Sequence, residues 1–155
     1  MDSSAARGRI LAIDFGLVRL GLALSDALGI TAQGLETLQR SNKEADLSAI
    51  ARLAREHSVA GIILGHPIGP SGQETEMSRR AARFAGELRS RVEVPVELWD
   101  ERFTSAEADR SLQESGLDRR KRRQHRDRVA AQILLQSYLD RRAYQSERAA
   151  AQAEP

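Results

Sequence analysis

Three acidic residues are placed where they could do chemistry together. Asp14 closes the apolar run Ile10–Ile13, Glu101 follows the run that ends at Trp99, and Asp127 opens a long apolar-periodic segment near the C-terminus. Three carboxylates without a His or Cys among them make a hard-oxygen donor set, which suits Mg²⁺ or Mn²⁺ rather than Zn²⁺. Two such ions, roughly 3.5–4 Å apart, activate a water and stabilise the leaving oxygen when a phosphodiester is cleaved. Each acid also has a plainer use alone: a strand-terminal Asp serves turns, and an Asp at a helix start complements the helix dipole. Their joint placement is what argues for a site.

The elements that must position them follow from periodicity. Arg9–Ile13 reads as a strand, Phe15–Val18 as a turn, and Leu20, Leu22 and Leu24 alternate as a second strand. A third short strand falls around residues 33–38, completing an antiparallel meander. The period then changes. Ser41-Asn42-Lys43-Glu44 is a capping-box pattern that opens a helix over about 44–57. Val59–Gly65 is apolar on both faces, as a parallel strand is. A helix over about 73–91 shows Met77, Ala81, Phe84, Ala85 and Leu88 on one face, and Val94–Trp99 is a further strand. Thr104–Glu107 repeats the capping pattern ahead of a short helix to about Ser115, which Gly116 stops. A last helix covers about 122–141, where Asp127 shares a face with Ala130, Ala131, Leu134 and Tyr138. That face predicts an inward Asp127. The order predicts an α/β, ribonuclease H-like fold: a mixed five-stranded sheet, part antiparallel meander and part parallel, flanked by helices. One domain spans 9–141, with flexible tails at 1–8 and 143–155.

Parallel strands in such a sheet deliver their carboxyl ends to one edge, where ligands bind. Glu101 nonetheless lies two strands from Asp14, about 10 Å at 4.8 Å per strand, so its side chain must lean inward. Two glycine-bearing turns could meet phosphate near the same edge. Asp14–Gly21 resembles the phosphate-binding hairpin of the actin and sugar-kinase class, with Gly16 at its tip. Those ATPases close two domains on a nucleotide, and 155 residues hold only one. Gly65–Gly72 joins a strand to a helix and reads either as a phosphate cradle or as an ordinary βα loop, with Gly65 and Gly72 as the candidate contacts and His66 at its mouth. His57 and His125 read as surface residues.

Charge and composition frame the partners. The chain has no cysteine, which excludes disulfides and thiolate chemistry. It has no apolar run that could span a membrane and no apolar leader after a basic start, so it reads as a cytoplasmic protein. The formal net charge of +2 hides an uneven distribution. Residues 119–128 carry seven basic groups and one acidic group, a net +6, which leaves −4 for the rest. Arg119, Arg120, Lys121, Arg122, Arg123 and Arg126 are thus candidates for binding a nucleic-acid backbone. With 4% aromatic residues and a single Trp, no base-reading platform accompanies them.

Four segments carry a family resemblance: Asp14–Asp26 (DFGLVRLGLALSD), Gly65–Gly72 (GHPIGPSG), Asp100–Ala108 (DERFTSAEA) and Arg126–Leu139 (RDRVAAQILLQSYL). In this order they resemble the YqgF family, a bacterial branch of the RuvC-like, ribonuclease H-fold nucleases. The resemblance implies a metal-dependent nuclease acting on precursor 16S ribosomal RNA, or alternatively on branched four-way DNA junctions, as a monomer or homodimer. It implies catalytic and metal-binding roles for Asp14, Glu101 and Asp127, with Mg²⁺ or Mn²⁺, two ions in all. It also puts Arg19 and Arg102 on basic positions that contact substrate or order the carboxylates. Leu17-Val18 departs from a commoner small-polar and basic pair, and His66 from a commoner apolar residue. A non-catalytic nucleic-acid-binding module remains the reading without cleavage.

Overall fold

The computed structural model describes residues 8–102 and 119–153, the side chains of 119–125 excepted. The strands are β1 (Ile10–Asp14), β2 (Arg19–Ser25), β3 (Ala32–Gln39), β4 (Gly61–His66) and β5 (Val96–Asp100). The helices are α1 (Lys43–Glu56), α2 (Glu76–Arg89) and α3 (Arg119–Ala153). They form one five-stranded sheet ordered β3-β2-β1-β4-β5, in which β1–β2 and β2–β3 pair antiparallel and β1–β4 and β4–β5 pair parallel. The mixed sheet expected from the sequence is present. The segment expected as a short helix, from Thr104 and Glu107 to Ser115 and Gly116, lies outside the described residues.

Strand parity divides the sheet into two faces. Leu11, Ile13, Leu20, Leu22, Leu24, Ile62 and Leu64 pack under α1 and α2 with Leu47, Ile50, Phe84 and Leu88. Ile10, Ala12, Ala23 and Ile63 form the other face and are covered by Ala131, Leu134, Leu135 and Leu139 of α3. Small residues here let α3 lie close to the strands. By the same alternation Asp14, two residues after Ala12, points to the α3 side. At the β3 edge, where a strand has unpaired backbone groups, Gln136 of α3 accepts from Ala32 N–H (3.0 Å) and donates to Ile30 C=O (3.0 Å).

Three boundaries differ from those the sequence suggests. The α1 cap is Asn42 rather than Ser41: Asn42 Oδ1 accepts from Ala45 N–H at 2.9 Å. Both residue types are good caps, and Ser41 N–H is instead taken by Asp46 Oδ1 (3.1 Å). Helix α3 is already formed at Arg119, so Asp127 lies at least two turns inside it and is no helix-start dipole partner. The helix also continues through residues 143–153, expected as a flexible tail. This stretch is rich in Ala and free of Gly and Pro, so intrinsic propensity carries the helix beyond the sheet.

One polar cluster ties the meander to the helices. Arg40 Nε bonds buried Asp46 Oδ2 (2.9 Å), Arg40 Nη1 bonds Gly16 C=O (2.9 Å), and the guanidinium lies 4.9 Å from the Phe15 ring centroid and 5.6 Å from that of Phe84. Removing the buried anion takes the counter-ion from Arg40 and the acceptor from Ser41 N–H. Asp46→Ala is expected to destabilise the fold by about 3 kcal/mol in urea denaturation; a loss below about 1 kcal/mol would show the pair to be dispensable.

Candidate active site

The site is built from strand ends on the α3 side of the sheet. Asp14 ends β1, and its neighbours in the sheet are both glycine: Gly21 is its register partner on β2, and Gly65 follows Leu64, the partner of Ile13, on β4. A Cβ on Gly65 would overlap Glu101 Oε1, and one on Gly21 would overlap the backbone oxygen of Asp127. The two glycines are therefore passages. Across Gly65 the Glu101 side chain reaches back over β4 to hydrogen-bond Asp14, which resolves the two-strand separation seen in the sequence. Glu101 N–H donates to His66 C=O at 3.3 Å, which fixes where this residue leaves β5. Across Gly21 the α3 backbone settles onto β2 and brings Asp127 alongside.

Electrostatics follow from this crowding. Burial pushes the Glu101 carboxyl up to about 9, and its hydrogen bond to Asp14 and the nearby charges of Asp14 and Asp100 act in the same direction. Burial also raises Asp14, aided by the charge of Asp127 and opposed by the hydrogen bond it accepts from Glu101. Asp127 is held differently: Arg19 Nε donates to Asp127 Oδ2 at 2.6 Å. Among the described residues no three acidic or histidine side chains stand together at metal-ligand spacing. Asp14 and Glu101 are brought together, and Asp127 stands beside them in the grip of Arg19. The donor set is all hard oxygen, and two half-buried carboxyls in contact are eased by a proton or a cation between them. These residues fit a divalent ion such as Mg²⁺ or Mn²⁺.

The other candidates sort clearly. Arg102 is paired with Asp100, whose carboxyl it holds below the usual range, through bonds of 2.7 and 2.8 Å. Gly16 sits in the tight β1–β2 turn with its carbonyl given to Arg40. Gly65 lies directly under the Glu101 side chain. The loop that contains Gly72 has used its own amides: Ile68, Gly69 and Gly72 N–H donate to backbone carbonyls and Ser71 N–H to Gln73 Oε1, while Thr75 caps α2. This favours the ordinary βα loop over the phosphate cradle. Arg126 is exposed on α3, and Arg119, Arg120, Lys121, Arg122 and Arg123 occupy its first turns, with side chains outside the described set. The passage role of Gly21 escaped sequence reasoning. Its signal was a small residue inside a strand, two positions before Ala23 on the face that α3 covers.

Comparison with known proteins now places the chain. The family described as "RuvX: Holliday junction resolvase" matches residues 8–141. The chain belongs to the RuvX family. A relative from Koribacter versatilis, named "Putative pre-16S rRNA nuclease", is 46% identical over 94% of this chain and 95% of its own length. One from Myxococcus xanthus with the same name is 42% identical over 85% and 87%. Among solved structures, Thermus thermophilus RuvC superposes with a TM-score of 0.51 at 13% identity, covering 87% of this chain and 96% of that one. The fowlpox virus resolvase in complex with Holliday junction DNA gives 0.53 at 14% identity, covering 85% and 97%. These two establish the fold. As a RuvX member the protein is a nuclease, a hydrolase acting on ester bonds in nucleic acid. No helix among the described residues is long and apolar enough to cross a membrane.

Two outcomes test this geometry. The folded-state value of Glu101 is raised, so the stability it contributes is full below the unfolded carboxyl value and is lost as pH rises towards about 9. In metal-free buffer the melting temperature is expected to fall between pH 5 and 9, and Glu101→Gln to flatten that slope; an unchanged slope would contradict the raised Glu101 carboxyl. Gly65→Ala is expected to displace the Glu101 carboxyl and cut turnover roughly a hundredfold with the fold retained, as read by circular dichroism beside a cleavage assay.

Proposed function

We infer that this protein is a metal-dependent nuclease that trims precursor 16S ribosomal RNA, with Asp14, Glu101 and Asp127 as its catalytic and metal-binding residues. The observation that carries this is the meeting of Asp14 and Glu101 at the carboxyl ends of β1 and β5, the Glu101 side chain passing over Gly65 of the intervening β4, with Asp127 beside Asp14. The substrate follows from the relatives named for it at 42–46% identity. Mg²⁺ or Mn²⁺, two ions in the full site, would supply an activated water and charge stabilisation at the phosphorus. The chain's own part is positional. Asp14 is fixed at the end of β1, with Gly21 and Gly65 as its neighbours in the sheet. Glu101, as the carboxylate, would be the second ligand of such an ion beside Asp14. Arg19 sets the orientation of Asp127 through Nε and offers its Nη groups to a phosphate oxygen. Arg126 and the basic turns Arg119–Arg123 draw the backbone towards carboxylates that would otherwise repel it.

A second reading rests on the family description: resolution of four-way DNA junctions. It requires two sites facing two strands, hence a symmetric dimer. Side-by-side assays with Mg²⁺ on precursor 16S rRNA and on a four-way junction separate the two. Cleavage is expected on the RNA, and Asp14→Asn is expected to lower it by roughly a thousandfold or more while RNA binding persists. Turnover by Asp14→Asn at the wild-type rate would overturn the site, and exclusive junction cleavage would overturn the substrate.

A further inference from the structure

The β1–β2 turn is the shortest path between two parts of the site, Asp14 and Arg19, and its tip is apolar. Leu17 is 57% and Val18 62% exposed. Single exposed apolar side chains are ordinary, but these are adjacent and held by a turn that cannot fold them away. Phe15 is anchored inward against Phe84, with ring centroids 5.4 Å apart. Gly16 C=O is bonded to Arg40 Nη1, and Val18 C=O accepts Arg40 N–H, both at 2.9 Å. A Cβ on Gly16 would overlap Arg19 C=O, so the turn is already as tight as it can be. The backbone is thus clamped on both sides of Leu17 while the two side chains remain in water.

We propose that Leu17 and Val18 form a substrate-contacting tip that packs against an unstacked nucleobase beside the scissile phosphate. The inference rests on the nuclease reading above and sharpens it to substrate conformation. Leu17 is three residues from Asp14, within about 10 Å along the chain, roughly one to two nucleotides from a phosphate held at the carboxyl pair. Phosphate and sugar offer little to an aliphatic surface. A base face does, and in a duplex that face is covered by its stacked neighbours. Apolar side chains inserted at base steps are a known means of exploiting unstacking. A rigid tip gains most, because no loop ordering is lost on contact. The tip therefore selects single-stranded or frayed substrate.

The test is binding without turnover. Wild-type protein, a Leu17→Ser/Val18→Ser variant and a Leu28→Ser/Ile30→Ser control are titrated in Ca²⁺ buffer with single-stranded RNA carrying 2-aminopurine at successive positions, and with the matching duplex. The control removes the exposed apolar pair on the β2–β3 turn, Leu28 (75% exposed) and Ile30 (59%). Expected is a wild-type preference for the single strand and a fluorescence rise at one or two positions. The tip variant should lose that rise and about tenfold of the preference at an unchanged melting temperature, while the control retains both. Equal behaviour of tip variant and wild type, or equal loss in the control, overturns the tip. Failure of wild-type protein to bind either probe overturns the nucleic-acid reading itself, so the two failures are distinguishable.

Discussion

Two carboxyl groups held against each other, so that each charge opposes the other, are the constraint on which this molecule turns. Asp14 and Glu101 meet half-buried at one edge of the sheet, and burial and their mutual contact push the Glu101 carboxyl well above the usual range. Desolvation and mutual repulsion both oppose a second negative charge there. The raised Glu101 carboxyl and the proposed place for a cation thus share one origin. Asp127 escapes the same frustration because Arg19 neutralises it in place.

The fold supplies this crowding through ordinary rules. A parallel pair of strands sends β1 and β4 to the same edge, and alternation puts Asp14, Gly65, Gly21 and Arg19 on the face that α3 covers. The opposite face buries the large aliphatic residues under α1 and α2. The small-residue face is the one on which a helix can approach closely enough to deliver Asp127. The Arg40–Asp46 cluster on the far side holds the meander and helices in one register, and through Gly16 it reaches the turn that follows Asp14.

Much of this was legible in residues and spacing. Apolar runs ending in acids located Asp14 and Glu101, and the Ala130, Ala131, Leu134, Tyr138 spacing gave Asp127 its inward face. What was not legible depended on contacts between segments that carry no periodic signature. The reach of Glu101 looked too long because only the register shows that a glycine lies in its path. The Arg19–Asp127 bond joins residues at opposite ends of the chain, and nothing in either neighbourhood announces the other. The Asn42 cap was one residue from the expected Ser41 because adjacent Ser and Asn offer the same chemistry. The end of α3 was ambiguous because an Ala-rich polar stretch satisfies both a helix and a fraying tail.

Flanking an acid with two glycines has a metrological consequence. The breadth of the site is measured in strand spacings: one step from β1 to β4 on one side of Asp14 and one step from β1 to β2 on the other, each about 4.8 Å. Rotamer choice adjusts the carboxylates within that frame but does not set it. The backbone ladder is the ruler, and it cannot be stretched gradually. A one-residue slip would turn Asp14 to the opposite face and leave the site without its central group. Helix surfaces and loops can therefore vary widely around a gauge that changes only in whole steps.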